Sequence, residues 1–148
     1  MKIYIGADHR GFSLRQKLIE HLKSAGYDLI DEGDEHLKQE DDFPQFAGRV
    51  ASAILASEDS EPRGILICGS GQGMCMAANR YKGIRAALGY DIEAAHNSRN
   101  DDDSNILCLP ADLLEKNQAF SIVNTWLTTP FANAERFRRR NKELDELN

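Results

Sequence analysis

The amino-acid sequence predicts an α/β fold in which a five-stranded parallel sheet carries helices on both faces. Short runs rich in β-branched residues alternate along the chain with longer segments whose apolar residues recur at helical spacing. One of the short runs, residues 64–69, is apolar throughout, as expected for a strand that is buried on both faces. Because strands that alternate with helices form βαβ units, the order of the segments predicts a parallel sheet.

The first half of the chain supplies three of the strands and two helices. The predicted strands span residues 2–6, 27–31 and 64–69. The first helix carries apolar residues on one face, at Leu14, Leu18, Leu22 and Ala25. Gly26 is expected to end this helix as a C-terminal cap. A polar, acidic loop over 33–42 follows, and the second helix then shows apolar residues every four positions, at Phe46, Val50 and Ile54.

The second half supplies the other two strands, predicted at 83–89 and 105–109. A short helix over 74–80 precedes them, and another over 91–99 separates them. The sequence contains no internal repeat, low-complexity tract or interdomain linker. Residues 1–148 are therefore expected to form a single domain.

Two further helices are predicted near the end of the chain. The first begins near Asp112, because Asp112 and Glu115 match the pattern of a capping box. Its apolar face carries Leu113, Phe120, Val123 and Leu127. Pro130 separates this helix from a last, highly charged helix over about 132–147.

Composition and charge exclude several classes of protein. A net charge of −6 argues against a general nucleic-acid surface. No apolar run approaches the length of a membrane span, and the apolar run at the N-terminus is too short for a signal-peptide core. The three cysteines are odd in number and show no CxxC spacing, so neither a disulfide framework nor a structural zinc site is expected. A cytoplasmic location is expected.

The candidate catalytic and binding residues follow two of the predicted strands. Ligands of parallel sheets bind beyond the carboxyl ends of the strands. The first exit reads ADHRG and the second reads CGSGQG. Glycines at 69, 71 and 73 allow a tight turn in which successive N–H groups approach a ligand. The second exit therefore predicts a site for a phosphate or a developing oxyanion.

Cys68 stands directly before this glycine-rich loop. A thiol beside so many N–H donors is expected to ionise readily and to act as a base or nucleophile. The alternative is that Cys68 is a small buried hydrophobe, the commonest fate of a free cysteine. Ser70 could carry a proton between neighbouring oxygens, or could only shape the turn. Cys75 and Cys108 are predicted to be core residues.

The first exit places Asp8, His9 and Arg10 in succession. Asp8 and His9 are suited to hydrogen bonding with a polyol or to proton transfer, whereas the simpler interpretation makes Asp8 a helix cap. A metal site is not expected, because the other histidines, His21, His36 and His96, lack ligand-like spacing.

The last helix carries paired arginines. Its apolar residues Phe137, Leu144 and Leu147 predict the inward face. Arg136 and Arg140 lie on or beside this face, one turn apart, and are suited to bidentate binding of a phosphate. The alternative is a basic surface helix that pairs with the many carboxylates of the chain.

Taken together, these motifs resemble the type B ribose-5-phosphate isomerases, a family that includes the galactose-6-phosphate isomerase subunits. The resemblance covers essentially the whole chain and rests on GADHRG, ICGSGQGMxxAAN and the paired arginines, with further matches at residues 42–44, 83–88 and 104–107. It implies a Rossmann-like three-layer α/β/α sandwich and no metal or organic cofactor. It also implies a homodimer, or a dimer of dimers, whose active sites combine residues of two subunits.

The resemblance also implies roles for individual residues. Cys68 matches the base that removes the proton from C2 of an open-chain aldose, and Ser70 would help to move protons between O1 and O2. The loop formed by Gly69, Ser70, Gly71, Gln72 and Gly73 matches the anion hole that holds the enediolate. Asp8 and His9 match residues that bind sugar hydroxyls. The paired arginines, Arg136 and Arg140, match phosphate ligands.

Three positions depart from the family pattern. The histidine thought to open the furanose ring is Asp101 here, its asparagine neighbour is Asp102, and a third phosphate-binding arginine is Asp112. Asp101 could replace the histidine as acid/base, the substrate could lack a ring, or the protein could bind a sugar phosphate and turn it over poorly. Arg10 and Arg99 could restore part of the lost positive charge.

The predicted activity is aldose–ketose isomerisation of a small sugar phosphate, with ribose 5-phosphate to ribulose 5-phosphate as the leading case. A four- or six-carbon sugar phosphate is the nearest alternative. Two hypotheses from other classes compete with it. One is a non-catalytic sugar-phosphate or nucleotide sensor, and the other is a cysteine-nucleophile hydrolase that would use His9 as its base.

Overall fold

The structure, a computed structural model, describes residues 1–147 and consists of five strands and six helices. The strands are β1 (Lys2–Ala7), β2 (Asp28–Asp31), β3 (Arg63–Cys68), β4 (Ala86–Leu88) and β5 (Ile106–Pro110). The helices are α1 (Phe12–Ser24), α2 (Phe43–Leu55), α3 (Gln72–Ala78), α4 (Ile92–Asn100), α5 (Lys116–Thr128) and α6 (Glu135–Asp145).

The strands form one parallel sheet in the order β2-β1-β3-β5-β4. In the centre of the sheet, Ala7 lies opposite Ile67, and Cys68 lies opposite Pro110. The carboxyl ends of β1, β3 and β5 therefore meet at one edge, hereafter the carboxyl edge. All six residues of β3 are buried, and the apolar sequence from residue 64 onward predicts this for all but Arg63.

Helices cover both faces of the sheet, which confirms the predicted three-layer α/β/α architecture. One core joins the sheet to α1, α4 and α5 through residues such as Leu18, Leu22, Ala95, Val123 and Trp126. The other core joins it to α2 and α3 through Phe46, Val50, Met74 and Ala78. No helix within residues 1–147 combines the length and the apolar character needed to cross a membrane.

The end of α1 follows the sequence prediction. Gly26 adopts a φ of +87° just after the helix, a conformation that is costly for residues with a side chain. Its N–H donates to the carbonyl of Lys23, and the N–H of Tyr27 donates to that of Leu22. These two bonds form a Schellman motif, which satisfies carbonyl groups that the helix leaves free.

Two predicted element boundaries are wrong for identifiable reasons. Strand β4 is shorter than the predicted segment 83–89, because the N–H of Arg85 and the carbonyl of Gly83 bind the side chain of Asn105 instead of the backbone of a strand. The last helix begins at Glu135 rather than near 132, after a turn in which Asn133 has a φ of +54°.

The predicted capping box at Asp112 is also wrong. Helix α5 begins at Lys116, where Glu115 and Gln118 form the capping box instead. Asp112 lies in the preceding turn, and its side chain pairs with Arg10. Leu113 therefore lies outside the helix and is largely exposed.

The inward face of α6 differs in part from the prediction. Phe137 is buried as expected, but the second buried residue is Asn141. Leu144 and Leu147 are 48% and 80% exposed. Only a short part of α6 is therefore buried against its own chain. Apolar side chains near the end of the helix lie at the surface.

Candidate active site

The carboxyl edge brings the two predicted strand exits together. The N–H of Asp8 donates to the carbonyl of Ile67 at 3.2 Å, which fixes Asp8 beside the end of β3. Cys68 is the last residue of that strand. Asp8, His9, Cys68 and the loop 69–73 thus lie at one edge, as the sequence predicts for parallel strands.

The loop after β3 wraps around the thiol of Cys68. Gly71 has a φ of +74°, and its N–H donates to Sγ of Cys68 at 3.1 Å. Cys68 is 5% exposed, so the sulfur lies just beneath the surface of the loop. The N–H groups of Gly69, Ser70 and Gly73 find no acceptor among residues 1–147. The loop therefore combines a sulfur with several N–H donors that remain available to an anion.

Ser70 and Gln72 are exposed on the outer side of the loop. The N–H of Gln72 donates to Oγ of Ser70 at 3.3 Å. The hydroxyl therefore shapes the turn, which is the simpler of the two roles considered for this serine. Its exposure also leaves the hydroxyl hydrogen free to donate to a bound molecule.

Asp8 is a buried carboxylate at the start of the same site. It accepts the N–H groups of Arg10 at 3.0 Å and Gly11 at 3.2 Å. Burial raises the pKa of Asp8 above its usual value of 3.8, and the two backbone N–H donors offset only part of this increase. Asp8 is therefore both a structural acceptor for the turn and a carboxyl whose charge is costly.

The raised pKa of Asp8 predicts a specific pH dependence. The folded protein holds a proton on Asp8 more tightly than the unfolded chain, so the contribution of Asp8 to stability is greatest below pH 3.8 and is lost as the pH rises through the higher folded pKa. Asp8→Asn keeps an oxygen for the two N–H donors and removes the charge. We therefore expect the free energy of unfolding of this variant, relative to the native protein, to increase with pH across that window in urea titrations. A difference that stays flat with pH would contradict the assigned cause.

His9 is held by a residue that the sequence analysis did not single out. Oδ1 of Asp41 lies 2.8 Å from Nδ1 of His9, and the same oxygen accepts the N–H of His9 at 2.9 Å. The side chain of Asp41 is 9% exposed and that of His9 is 29% exposed. In the sequence, Asp41 is one of several acidic residues in the loop 33–42, and nothing there distinguishes it from the others.

Asp8, His9 and Asp41 place their polar atoms within 4.8 Å of one another. Sequence spacing could not predict this cluster, because Asp41 lies 32 residues from His9 along the chain. The contacts within the cluster are hydrogen bonds that orient the imidazole and the turn. The cluster therefore serves as a rigid polar wall of the site.

Arg10 and Asp112 form an ion pair across the mouth of the loop. A Cβ atom on Gly69 would lie 2.6 Å from Nε of Arg10 and 2.7 Å from Oδ2 of Asp112, so a side chain there would displace the pair. The N–H of Asp112 also donates to the carbonyl of Gly69 at 3.0 Å. Asp112 thus carries its own counter-ion, which reduces the repulsion that its charge would exert on an anion at the loop.

The remaining predicted site residues lie at the opposite edge of the sheet, where the strands begin. Asp101 and Asp102 follow α4 and precede the start of β5. Along β3, the stretch from Gly64 to Cys68 alone spans about 13 Å at the usual rise of a strand. A single chain therefore does not bring these aspartates to the thiol.

Helix α6 is tied to this amino edge. Asp145 pairs with Arg85 at 2.9 Å, just before β4. Burial and the nearby charge of Asp101 raise the pKa of Asp102, while Arg85 and Arg140 oppose the increase. Arg140 therefore lies close enough to act on Asp102, and the side chain of Arg140 is exposed.

Arg136 is also exposed, and its guanidinium stacks 4.3 Å from the ring centroid of Phe137. The apolar stripe of the helix predicted that Arg136 and Arg140 face the body of their own chain. Neither side chain points into that interior. Asp101 accepts a hydrogen bond from the side chain of Asn100 at 2.7 Å. Asp101, Asp102, Arg136 and Arg140 thus form a second group of predicted site residues, separate from the first.

Comparisons with known proteins agree with this architecture. The family model described as Ribose/Galactose Isomerase matches residues 3–144. The probable ribose-5-phosphate isomerase B of Mycoplasma genitalium is 37% identical over 140 residues, which cover 95% of this chain and 91% of that protein. The ribose-5-phosphate isomerase B of Mycobacterium tuberculosis is 36% identical over 140 residues, with coverage of 95% and 85%.

Solved structures show the same relationship. A ribose 5-phosphate isomerase from Thermotoga maritima matches with a TM-score of 0.93 at 41% identity, covering 99% of this chain and 98% of that chain. The ribose-5-phosphate isomerase B of Mycoplasma genitalium with bound ribulose-5-phosphate matches with a TM-score of 0.91 at 36% identity, covering 98% and 94%. The fold and the loop at its carboxyl edge thus define an α/β isomerase. The chain belongs to the Ribose/Galactose Isomerase family, as the resemblance of its motifs implied.

Proposed function

We propose that this protein interconverts an aldose phosphate and a ketose phosphate, with ribose 5-phosphate and ribulose 5-phosphate as its substrate pair. The observation that carries the proposal is the contact between the Sγ atom of Cys68 and the N–H of Gly71. It joins a potential base to the amide loop that would bind the oxyanion. Relatives named for this activity, one of them with bound ribulose-5-phosphate, support the choice of substrate.

In the proposed reaction, the thiolate of Cys68 removes the proton from C2 of the open-chain aldose. The electrons move into a C1–C2 double bond, and the carbonyl oxygen O1 becomes the oxyanion of an enediolate. The free N–H groups of the loop donate to this oxyanion, and Ser70 moves a proton between O2 and O1. Return of the proton from Cys68 to C1 gives the ketose.

Binding of the sugar would use the polar wall of the site. Asp8 and His9 face the sugar hydroxyls, and Gln72 borders the loop. Arg10 at the carboxyl edge is paired with Asp112, so its charge is already compensated. The phosphate ligands of this proposal are therefore Arg136 and Arg140 of a second copy of the chain.

The proposed assembly is a homodimer in which each site combines two chains. The support for this assembly is that one chain keeps two groups of predicted site residues apart. Cys68 lies at one edge of the sheet, and the opposite edge carries Asp101, Asp102, Arg136 and Arg140. Leu144 on α6 and Leu147 just after it are exposed apolar residues of the kind that subunit interfaces cover.

A direct test follows the fate of hydrogen in the substrate. Purified protein is incubated with ribose 5-phosphate in D2O, and NMR is used to measure deuterium at C2 of the aldose together with formation of ribulose 5-phosphate. Four- and six-carbon sugar phosphates are run in parallel to determine the substrate. Turnover with deuterium incorporation supports the proposal, whereas binding of ribose 5-phosphate without exchange or turnover would favour a sensor.

A further inference from the structure

We propose that His9, oriented by Asp41, is the acid/base that opens the furanose ring of ribose 5-phosphate. This inference rests on the proposed function and adds a step to it. Ribose 5-phosphate is a cyclic hemiacetal in water, so an enediolate cannot form until the ring is open. An enzyme that uses this substrate efficiently needs a group that accepts the O1 proton and protonates the ring oxygen.

The contacts of His9 fix which nitrogen is available for this task. Oδ1 of Asp41 accepts the backbone N–H of His9, so it acts as an acceptor for Nδ1 as well. Nδ1 therefore carries the hydrogen, and Nε2 of the neutral imidazole is an acceptor. Nε2 has no hydrogen-bond partner within residues 1–147, and the side chain is 29% exposed. His9 thus presents an unoccupied base at the carboxyl edge.

Asp41 adds what a proton relay requires. Its side chain is 9% exposed and contacts His9 by two hydrogen bonds, so the ring is held in one orientation. A carboxylate at Nδ1 also stabilises the imidazolium that forms when Nε2 takes a proton. Asp41 is therefore a positioning residue, and it acts only through His9.

The proposed step is balanced with one proton. Nε2 of His9 takes the proton of the O1 hydroxyl, and the electrons of the O1–H bond form the second C1–O1 bond. The bond between C1 and the ring oxygen breaks, and its electrons stay on the ring oxygen. The imidazolium then gives the same proton to the ring oxygen. Both oxygens are bonded to C1, so one nitrogen can reach them in turn, and His9 returns to its neutral form.

Asp101 is the competing candidate for this step. It lies at the opposite edge of the sheet and accepts a hydrogen bond from Asn100, so it could act only from a second copy of the chain. His9 is joined to Asp8, which lies beside the end of β3, within the same chain. His9 is an imidazole that its own chain places beside Asp8 at the carboxyl edge, which favours it over Asp101.

The test compares two measurements for native protein, His9→Gln, Asp41→Asn and Asp101→Asn. The first is the velocity on ribose 5-phosphate as a function of enzyme concentration. The second is deuterium incorporation at C1 of ribulose 5-phosphate, an open-chain ketose that forms the enediolate without ring opening. His21→Gln is the matched control, because His21 stacks on Phe120 and lies outside the site.

For His9→Gln, we expect kcat/KM on ribose 5-phosphate to fall by about 10²-fold or more, whereas exchange at C1 falls by at most about tenfold. Its velocity should stop rising with enzyme concentration and level off at the rate of spontaneous ring opening. For Asp41→Asn, we expect kcat/KM on ribose 5-phosphate to fall by about 10–100-fold, while exchange at C1 again falls by at most about tenfold. Asp101→Asn and His21→Gln should show velocities proportional to enzyme concentration.

Two results would overturn the inference. One is an equal loss of turnover and exchange in His9→Gln, which would make His9 a binding or structural residue. The other is a velocity plateau in Asp101→Asn but not in His9→Gln, which would assign ring opening to the second copy. Absence of both activities in the native protein would instead refute the proposed function.

Discussion

Cys68→Ala is expected to abolish deuterium incorporation at C2 of ribose 5-phosphate and to lower turnover by about 10²–10⁴-fold, the usual range for loss of a general base. The sulfur accepts the N–H of Gly71 at 3.1 Å and lies directly before the loop that carries the free amides. Removal of the sulfur leaves those amides in place, so binding of the sugar phosphate should survive. The measurements are NMR exchange in D2O and titration of substrate binding.

Cys75→Ala is the matched control for this variant. Cys75 is a half-buried thiol on α3, inside the helix rather than at the end of the strand. It should retain native exchange and turnover. If Cys68→Ala exchanged deuterium at the native rate, another residue would have to be the base.

Gly71→Ala is expected to lower kcat by about 10²–10³-fold, the usual cost of displacing one donor of an anion hole, because the free N–H groups on either side of Gly71 shift with it. Two features of Gly71 exclude a side chain: its φ is +74°, and a Cβ atom would lie 2.5 Å from Cδ1 of Leu88. The loop must therefore move, and the N–H that contacts Cys68 moves with it. Steady-state kinetics together with unfolding titrations measure both consequences.

Gly26→Ala separates the effect on the site from the effect on the backbone. Gly26 has a φ of +87°, but a Cβ atom there meets nothing within 4 Å. As in Gly71→Ala, the positive φ should lower the free energy of unfolding of Gly26→Ala by about 1–2 kcal/mol. The kcat of Gly26→Ala should remain that of the native protein. Equal losses of kcat in the two variants would show that stability, rather than the geometry of the loop, controls the rate.

Features governed by local sequence could be predicted without the structure. The strand exits at Asp8 and Cys68 follow from apolar runs that end in polar or glycine residues, and parallel strands must bring their ends to one edge. The cap at Gly26 is likewise a property of a few consecutive residues. The hydrogen bonds that form this cap lie within five residues of each other along the chain.

Contacts between distant segments could not be predicted. Asp41 reaches His9 across 32 residues and Asp112 reaches Arg10 across 102, so nothing near either aspartate in the sequence reveals its partner. The side chain of Asp112 is paired with Arg10, so it does not cap α5 as predicted, and Glu115 is the cap instead. For α6, the periodic pattern identified an apolar stripe but not how much of it the same chain would cover.

The central claim is that one catalytic site contains Cys68 of one chain and the arginines of another. Cys68→Ala and the double variant Arg136→Ala, Arg140→Ala are each expected to be nearly inactive. When the two are dissociated, mixed in equal amounts and reassociated, half of the dimers should be mixed, and each mixed dimer contains one intact site. We therefore expect recovery of about a quarter of the native activity.

The formation of mixed dimers is checked by co-purification of two different affinity tags. Activity that rises toward a quarter of the native value as mixed dimers form would support the shared site. Activity that remains the sum of the two separate variants, although mixed dimers are present, would contradict it.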